Sequence, residues 1–220
     1  MTWSTLIPTE IRLFCERCAQ GLAGITEDES SFKFIRGELS HLLLNKPLFA
    51  KILQQLIQEG KYPDLRHSTM FDNELLLYAD NTHLFSLRMF LWDPGDYTPV
   101  HDHNSWGVIG PVSEELEVIN YKREDDGSQE GYARLVEIER MRLQPGETGF
   151  TLPLNEGIHE IGNPTQETIL SLSLYGNPLP RGYINGFDIA DHCTYRIFSP
   201  KVKKKQLAIR ALHGLDKADR

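Results

Sequence analysis

Asp93-Pro94-Gly95-Asp96-Tyr97-Thr98-Pro99-Val100-His101-Asp102-His103 is the stretch on which the reading of this chain turns. It opens on Asp-Pro-Gly, a turn signal, and closes on two histidines one residue apart. In an extended strand residues i and i+2 share a face, so His101 and His103 would present both imidazoles to one place. Imidazole is a favoured ligand for iron, zinc, copper and nickel. A lone H-x-H is equally a pair of exposed histidines beside a turn, so its surroundings decide between the two readings.

Downstream, short apolar or alternating runs are separated by turn residues. Val108-Ile109, Leu116 to Tyr121, Leu135 to Leu143, Gly149 to Leu152 and Thr168 to Tyr175 read as strands, as does Leu84 to Trp92 just before the turn. Many short strands at such spacing predict a sandwich or barrel. Upstream of Tyr62-Pro63 the pattern is helical. Ile7, Ile11, Phe14 and Cys18 form one stripe, and Phe32, Ile35, Leu39 and Leu42 a second. A third helix starts near Pro47, carries Phe49, Ile52, Leu53, Leu56 and Ile57, and stops at Gly60. Such helices cannot bury their faces alone and should pack on the β domain. The expected organisation is a helical layer over 1–62, a barrel over 63–200 and a basic helix or tail over 201–220 with Lys201, Lys203, Lys204 and Lys205.

The 220 residues carry a net charge of -8, with 40% hydrophobic and 25% charged residues. General nucleic-acid binding needs a basic footprint that this balance lacks. No apolar run approaches the ~20 residues that span a bilayer, and Met1-Thr2-Trp3-Ser4-Thr5 lacks a signal-peptide start. A cytoplasmic protein is expected, with no membrane partner. Three cysteines make no disulfide framework. Cys15 and Cys18 form a C-x-x-C without a second pair, so a structural role on a helix outweighs a zinc or redox role. His41, His67, His83, His192 and His213 have no partner at ligand spacing and read as surface or capping residues.

Gly95 stands six residues ahead of His101, and a second block, His159-Glu160-Ile161-Gly162-Asn163, follows Pro153 and Gly157. The two blocks resemble the two motifs of cupins. The glutamate that usually continues the first motif is absent, since Trp106, Gly107 and Val108 occupy its stretch. The resemblance thus implies a double-stranded β-helix, or jelly-roll barrel, with three metal ligands, His101, His103 and His159.

Three histidines without a glutamate is the pattern of the cysteine dioxygenase-like thiol dioxygenases. The chain is similar to them in Trp92-Asp93-Pro94-Gly95, Thr98 to His103, Ser105-Trp106-Gly107-Val108-Ile109-Gly110, Gly157 to Asn163 and Ser171 to Gly176, in family order. The resemblance implies Fe(II) as cofactor, and a small carboxylated thiol, of cysteine or 3-mercaptopropionate type, and O2 as partners, with a sulfinate as product. The family carries Ser-x-His-x-Tyr behind the metal. Here Ser171 and Tyr175 match and Ser173 replaces the histidine, so Tyr175, Ser171 and Ser173 are the candidate catalytic groups. Gly107 stands near the cysteine that crosslinks to the tyrosine in mammalian-type members, and Glu74-Leu75-Leu76 stands where their arginine would be. Both departures look more like the bacterial 3-mercaptopropionate branch. Arg181, six residues beyond Tyr175, is the first candidate for the substrate carboxylate and Arg88 the second, with Trp106 as a wall. Another cupin reaction, such as carbon–carbon cleavage, and a non-catalytic small-molecule binder are the alternatives. Oligomeric state is left open.

Overall fold

The computed structural model describes residues 6–25, 28–58 and 62–218, leaving aside the side chains of Asp28 and of 213–218. The first five residues, the expected helix stop at Gly60 and the side chain of His213 lie outside the described residues.

Three helices come first: α1 (Thr9–Leu22), α2 (Asp28–Leu43) and α3 (Lys46–Ile57). Both stripes are buried, through Ile11, Phe14 and Cys18 on α1 and Ile35, Leu39 and Leu42 on α2. The Asn45 side chain accepts from the Leu48 amide at 3.3 Å and Pro47 sits in the first turn, which together start α3. Ile57 departs from its expected place on the buried face and is exposed.

The strands are β1 (Glu74–Ala79), β2 (Phe85–Trp92), β3 (Val100–His101), β4 (Gly107–Pro111), β5 (Leu116–Arg123), β6 (Leu135–Leu143), β7 (Gly149–Thr151), β8 (Ile158–Gly162), β9 (Ile169–Gly176), β10 (Ile184–Asp188) and β11 (Cys193–Ile197). A helix, α4 (Pro200–Ala218), closes the chain. The strands form two antiparallel sheets, ordered β1-β2-β9-β4-β7 and β11-β10-β3-β8-β5-β6. Sequence neighbours repeatedly land in opposite sheets, which is the winding of a double-stranded β-helix.

Alternation along β9 separates the two sides of the first sheet. Leu170, Leu172 and Leu174 point outward with Leu87, Met89 and Val108 and pack on the helical layer. The other face carries Ser171, Ser173 and Tyr175. It looks across Phe90, Trp92, Ile109 and Ile169 to Leu116, Val118 and Ile161 of the second sheet. Fully burying side chains of this kind stabilises by about 1.5–3 kcal/mol each. The helices therefore cover one sheet, and the barrel interior stays available for polar groups.

The turn before β3 is built as its residues require. Pro94 fixes φ, and Gly95 takes φ of 78°, a left-handed conformation that favours glycine. The Asp96 amide closes the turn onto the Asp93 carbonyl at 3.0 Å.

Candidate metal centre

His101 ends β3, and the antiparallel pairing of β3 with β8 sets it directly opposite His159. His103 follows just beyond β3 and returns to the same side, as two-residue alternation requires. The ring centroids lie 4.8 Å (His101–His103), 5.0 Å (His101–His159) and 4.5 Å (His103–His159) apart. One ligand nitrogen from each falls within 4.8 Å of the others. Among the described residues this is the one group of three histidine, cysteine or acidic side chains able to hold a metal.

Hydrogen bonds set the rings. His101 Nδ1 lies 2.8 Å from the Pro99 carbonyl and His103 Nδ1 2.9 Å from the Gly157 carbonyl. A carbonyl can only accept, so both Nδ1 atoms carry hydrogen and both Nε2 atoms keep a lone pair. The Thr151 hydroxyl donates to the same Gly157 carbonyl at 3.1 Å. Gly157 has to be glycine here, because a Cβ would stand 1.9 Å from the Leu152 carbonyl oxygen.

All three histidines are buried, and burial favours the neutral ring. It lowers His101; it takes His103 down to about 3, with His101 opposing its charge; and it holds His159 well below the usual range, with both neighbours adding repulsion. Neutral imidazole is the form that binds a metal. His103 Nε2 and His159 Nδ1 are buried without any hydrogen-bond partner. Orphaned buried acceptors cost free energy. A cation among the three rings would satisfy them, so the residues present fit a metal.

His101 and His103 open on a cavity of about 220 Å³, lined also by Phe71, Arg88, Phe90 and Tyr175 among others. Phe71 meets His101 edge-on at 5.4 Å, and the Tyr175 ring stacks on His103 at 6.1 Å. Burial first, then the Glu74 carboxylate, pushes the Tyr175 phenol up to about 12, so it stays protonated. Arg88 pairs with Glu74, donates from Nε to the Ser86 hydroxyl at 3.1 Å and lies 6.0 Å from the Tyr175 ring centre. Glu74 is itself held by the amides of Met70 and Phe71, at 2.8 and 3.1 Å.

Four residues singled out in the sequence are placed as follows. Arg181 does not line the cavity; it spends its guanidinium on Asp102, Asn104 and the His103 carbonyl. Trp106 is no wall of the cavity; it lies under the helical layer, edge-on to Phe32 at 5.5 Å, where its ring covers Gly176. The Ser171 hydroxyl does not reach towards Tyr175; it accepts from the Trp92 indole at 2.9 Å. Ser173 does face the interior opposite Arg88, and its nearness eases the Tyr175 phenol downward, yet its hydroxyl has no partner at hydrogen-bond geometry. The remaining described histidines, His41, His67, His83 and His192, are exposed. Glu74, Phe71 and Thr151 were missed, since nothing in their local sequence distinguishes them. Asp102 carried a signal: a carboxylate between two alternating histidines must point away from them.

No family model matches the chain. Similar solved structures are cupin-domain proteins. A cupin 2 domain-containing protein from Halorhodospira halophila is 18% identical over 57% of this chain and 76% of its own, with a TM-score of 0.40. The Cupin_2 domain of an XRE-family transcriptional regulator from Enterobacter cloacae is 19% identical, covering 48% of this chain and 95% of that one, at a TM-score of 0.33. An uncharacterized conserved protein with a double-stranded beta-helix domain from Klebsiella pneumoniae is 12% identical over 64% and 93% of the two chains, at a TM-score of 0.36.

Proposed function

We propose that the chain is a mononuclear non-haem Fe(II) thiol dioxygenase that converts a small carboxylated thiol to its sulfinate. The observation that carries the reading is a neutral, buried three-histidine group, two of whose members, His101 and His103, line a cavity whose charged side chains are one arginine and one acid that neutralises it. The balance is R–SH + O2 → R–SO2⁻ + H⁺. Both oxygen atoms join sulfur, which gives up four electrons to O2, and no outside reductant is needed.

His101, His103 and His159 would hold the iron. A bound ferrous ion would favour thiolate over thiol and supply the means of activating O2. The three ligands are uncharged, so the full positive charge is left to attract an anionic sulfur. Arg88 offers its uncommitted Nη2 edge towards a substrate carboxylate, with Glu74 fixing the other edge. The protonated Tyr175 hydroxyl is a hydrogen-bond donor beside His103. Phe71 and Phe90 line the space between with apolar surface. Glu74, the one acid lining the cavity, is spent on Arg88 and two amides, so an α-ammonium would find no counter-charge. This favours an amine-free thiol acid such as 3-mercaptopropionate over cysteine.

The test is O2 uptake by anaerobically iron-loaded protein on cysteine, 3-mercaptopropionate, mercaptosuccinate and cysteamine, with His101→Ala as control. Sulfinate formed in step with O2 consumed, fastest on 3-mercaptopropionate and absent in the control, is the expected result. No uptake on any thiol by iron-replete protein would leave a different cupin reaction or a binding module.

A further inference from the structure

Asp102 sits between the two histidines of the motif and ligates nothing. It is 1% exposed, and its carboxylate receives four hydrogen bonds: two from Arg181 (Nη1 at 3.1 Å, Nη2 at 2.7 Å) and two from Asn185 (amide at 2.7 Å, Nδ2 at 2.8 Å). Arg181 then reaches along the same segment. Its Nε donates to Asn104 Oδ1 at 2.6 Å, and Nη2 touches the His103 carbonyl at 3.4 Å. Asn104 answers with its Nδ2, shared between the carbonyls of Arg181 and Tyr183 at 3.0 Å each. The Tyr183 ring backs the guanidinium at 5.1 Å.

Every residue from Asp102 to Asn104 is thus tied to the chain between Leu179 and Asn185, whose own backbone joins in. The Asp102 amide donates to the Asn185 carbonyl at 3.0 Å, and the Leu179 amide to the Asn104 carbonyl at 2.7 Å. His103 lies just past the end of β3, where no ladder holds it. The clamp replaces the ladder at the point where ring direction matters most. A buried ion pair is a weak source of stability against a well-packed apolar pair, because both charges lose water. What it does supply is direction, since a two-pronged fork admits one geometry.

We propose that Arg181 is a positioning residue for the metal centre: through its fork on Asp102 it fixes the Asp102–Asn104 segment so that His101 and His103 aim at one point. This rests on the reading that the three histidines hold a metal, and it deepens that reading by assigning a residue outside the cavity to metal affinity.

The test is anaerobic Co(II) titration of the full chain, read by its ligand-field absorption and by competition with a chelator. The variants are Arg181→Gln, Arg181→Lys and Asp102→Asn, with Arg196→Gln as a control. Arg196 packs on the same Tyr183 ring, at 4.6 Å, and no hydrogen bond joins it to the 102–104 segment. Arg181→Gln and Asp102→Asn should bind Co(II) about 10- to 100-fold more weakly, with an altered absorption band and unchanged far-UV circular dichroism. Arg181→Lys, which keeps charge and loses the fork, should fall between, and Arg196→Gln should match the parent. Parental affinity and band shape in Arg181→Gln would overturn the proposal, leaving the pair a contributor to stability alone. Should Arg181→Gln fail to fold, parental affinity in Arg181→Lys and Asp102→Asn overturns it equally. Absence of a one-to-one Co(II) complex in the parent itself would remove the metal centre and this inference together.

Discussion

Under the proposed function, Arg88 is the residue on which substrate choice would depend. It is the one lysine or arginine among the cavity-lining residues, and a charge-assisted hydrogen bond is worth about 1.5–3 kcal/mol. Arg88→Leu should therefore cut kcat/KM for 3-mercaptopropionate by roughly 10- to 100-fold. It should leave the slow reaction of an uncharged thiol such as 2-mercaptoethanol little changed. Equal losses on both thiols would show that Arg88 supports the fold of the site and does not read the carboxylate. The arginine also marks where the sequence stops being legible. The histidines were readable because strand alternation is a local rule that fixes their common direction. Arg181 and Arg88 are alike in sequence, and only the folded chain shows that Asp102 takes the guanidinium of Arg181. Ser171 is the same case, its hydroxyl committed to Trp92 from a strand far away in sequence.

Among the elements, the helices and the longer strands were legible because each carries its own period. β10 and β11 were not. Asn185-Gly186 reads as a turn pair, yet it lies mid-strand, with Gly186 opposite Tyr195. The Tyr195 ring covers the glycine so closely that a Cβ would stand 2.5 Å from Cζ, a requirement set by the partner strand. The helical layer makes its own prediction. Cys15 and Cys18 are buried against the sheet, and burial pushes both thiols up, Cys18 to about 12. Thiolate is the reactive form. Iodoacetamide at pH 8 should therefore label native protein only at the half-buried Cys193 and denatured protein at all three cysteines, counted by mass spectrometry. Two or three labels on native protein would contradict this packing. The sign of the linkage follows. Unfolding frees these thiols to ionise around pH 9 while the folded chain keeps them protonated. Their contribution to stability is present below that pH and declines as pH rises above it.

For the whole molecule, a metal held by His101, His103 and His159 would couple its binding to stability. The orphaned nitrogens of His103 and His159 cost the metal-free protein free energy, and a ligand that binds only the folded state stabilises it by RT ln(1 + [L]/Kd), about 2.7 kcal/mol at a hundredfold excess over Kd. Ferrous or cobaltous ion should raise Tm by several degrees, by roughly 2–4 °C per kcal/mol in a chain of this size. The rise should vanish in His159→Ala. An equal rise in that variant would place the metal elsewhere. The fold sets the scale of this effect. The helices cover the first sheet from outside, so the site lies between two sheets, with His101 and His103 on its cavity. No helix among the described residues is long and apolar enough to cross a membrane.

X-ray absorption at the iron edge of the anaerobic ferrous protein, with and without 3-mercaptopropionate, tests the central claim most directly. The account predicts a first shell of nitrogen and oxygen scatterers in the free protein, with the imidazole signature of three histidines. Addition of the thiol should bring in one sulfur scatterer, in parent and Arg181→Lys alike. A shell that gains no sulfur from any carboxylated thiol would contradict it.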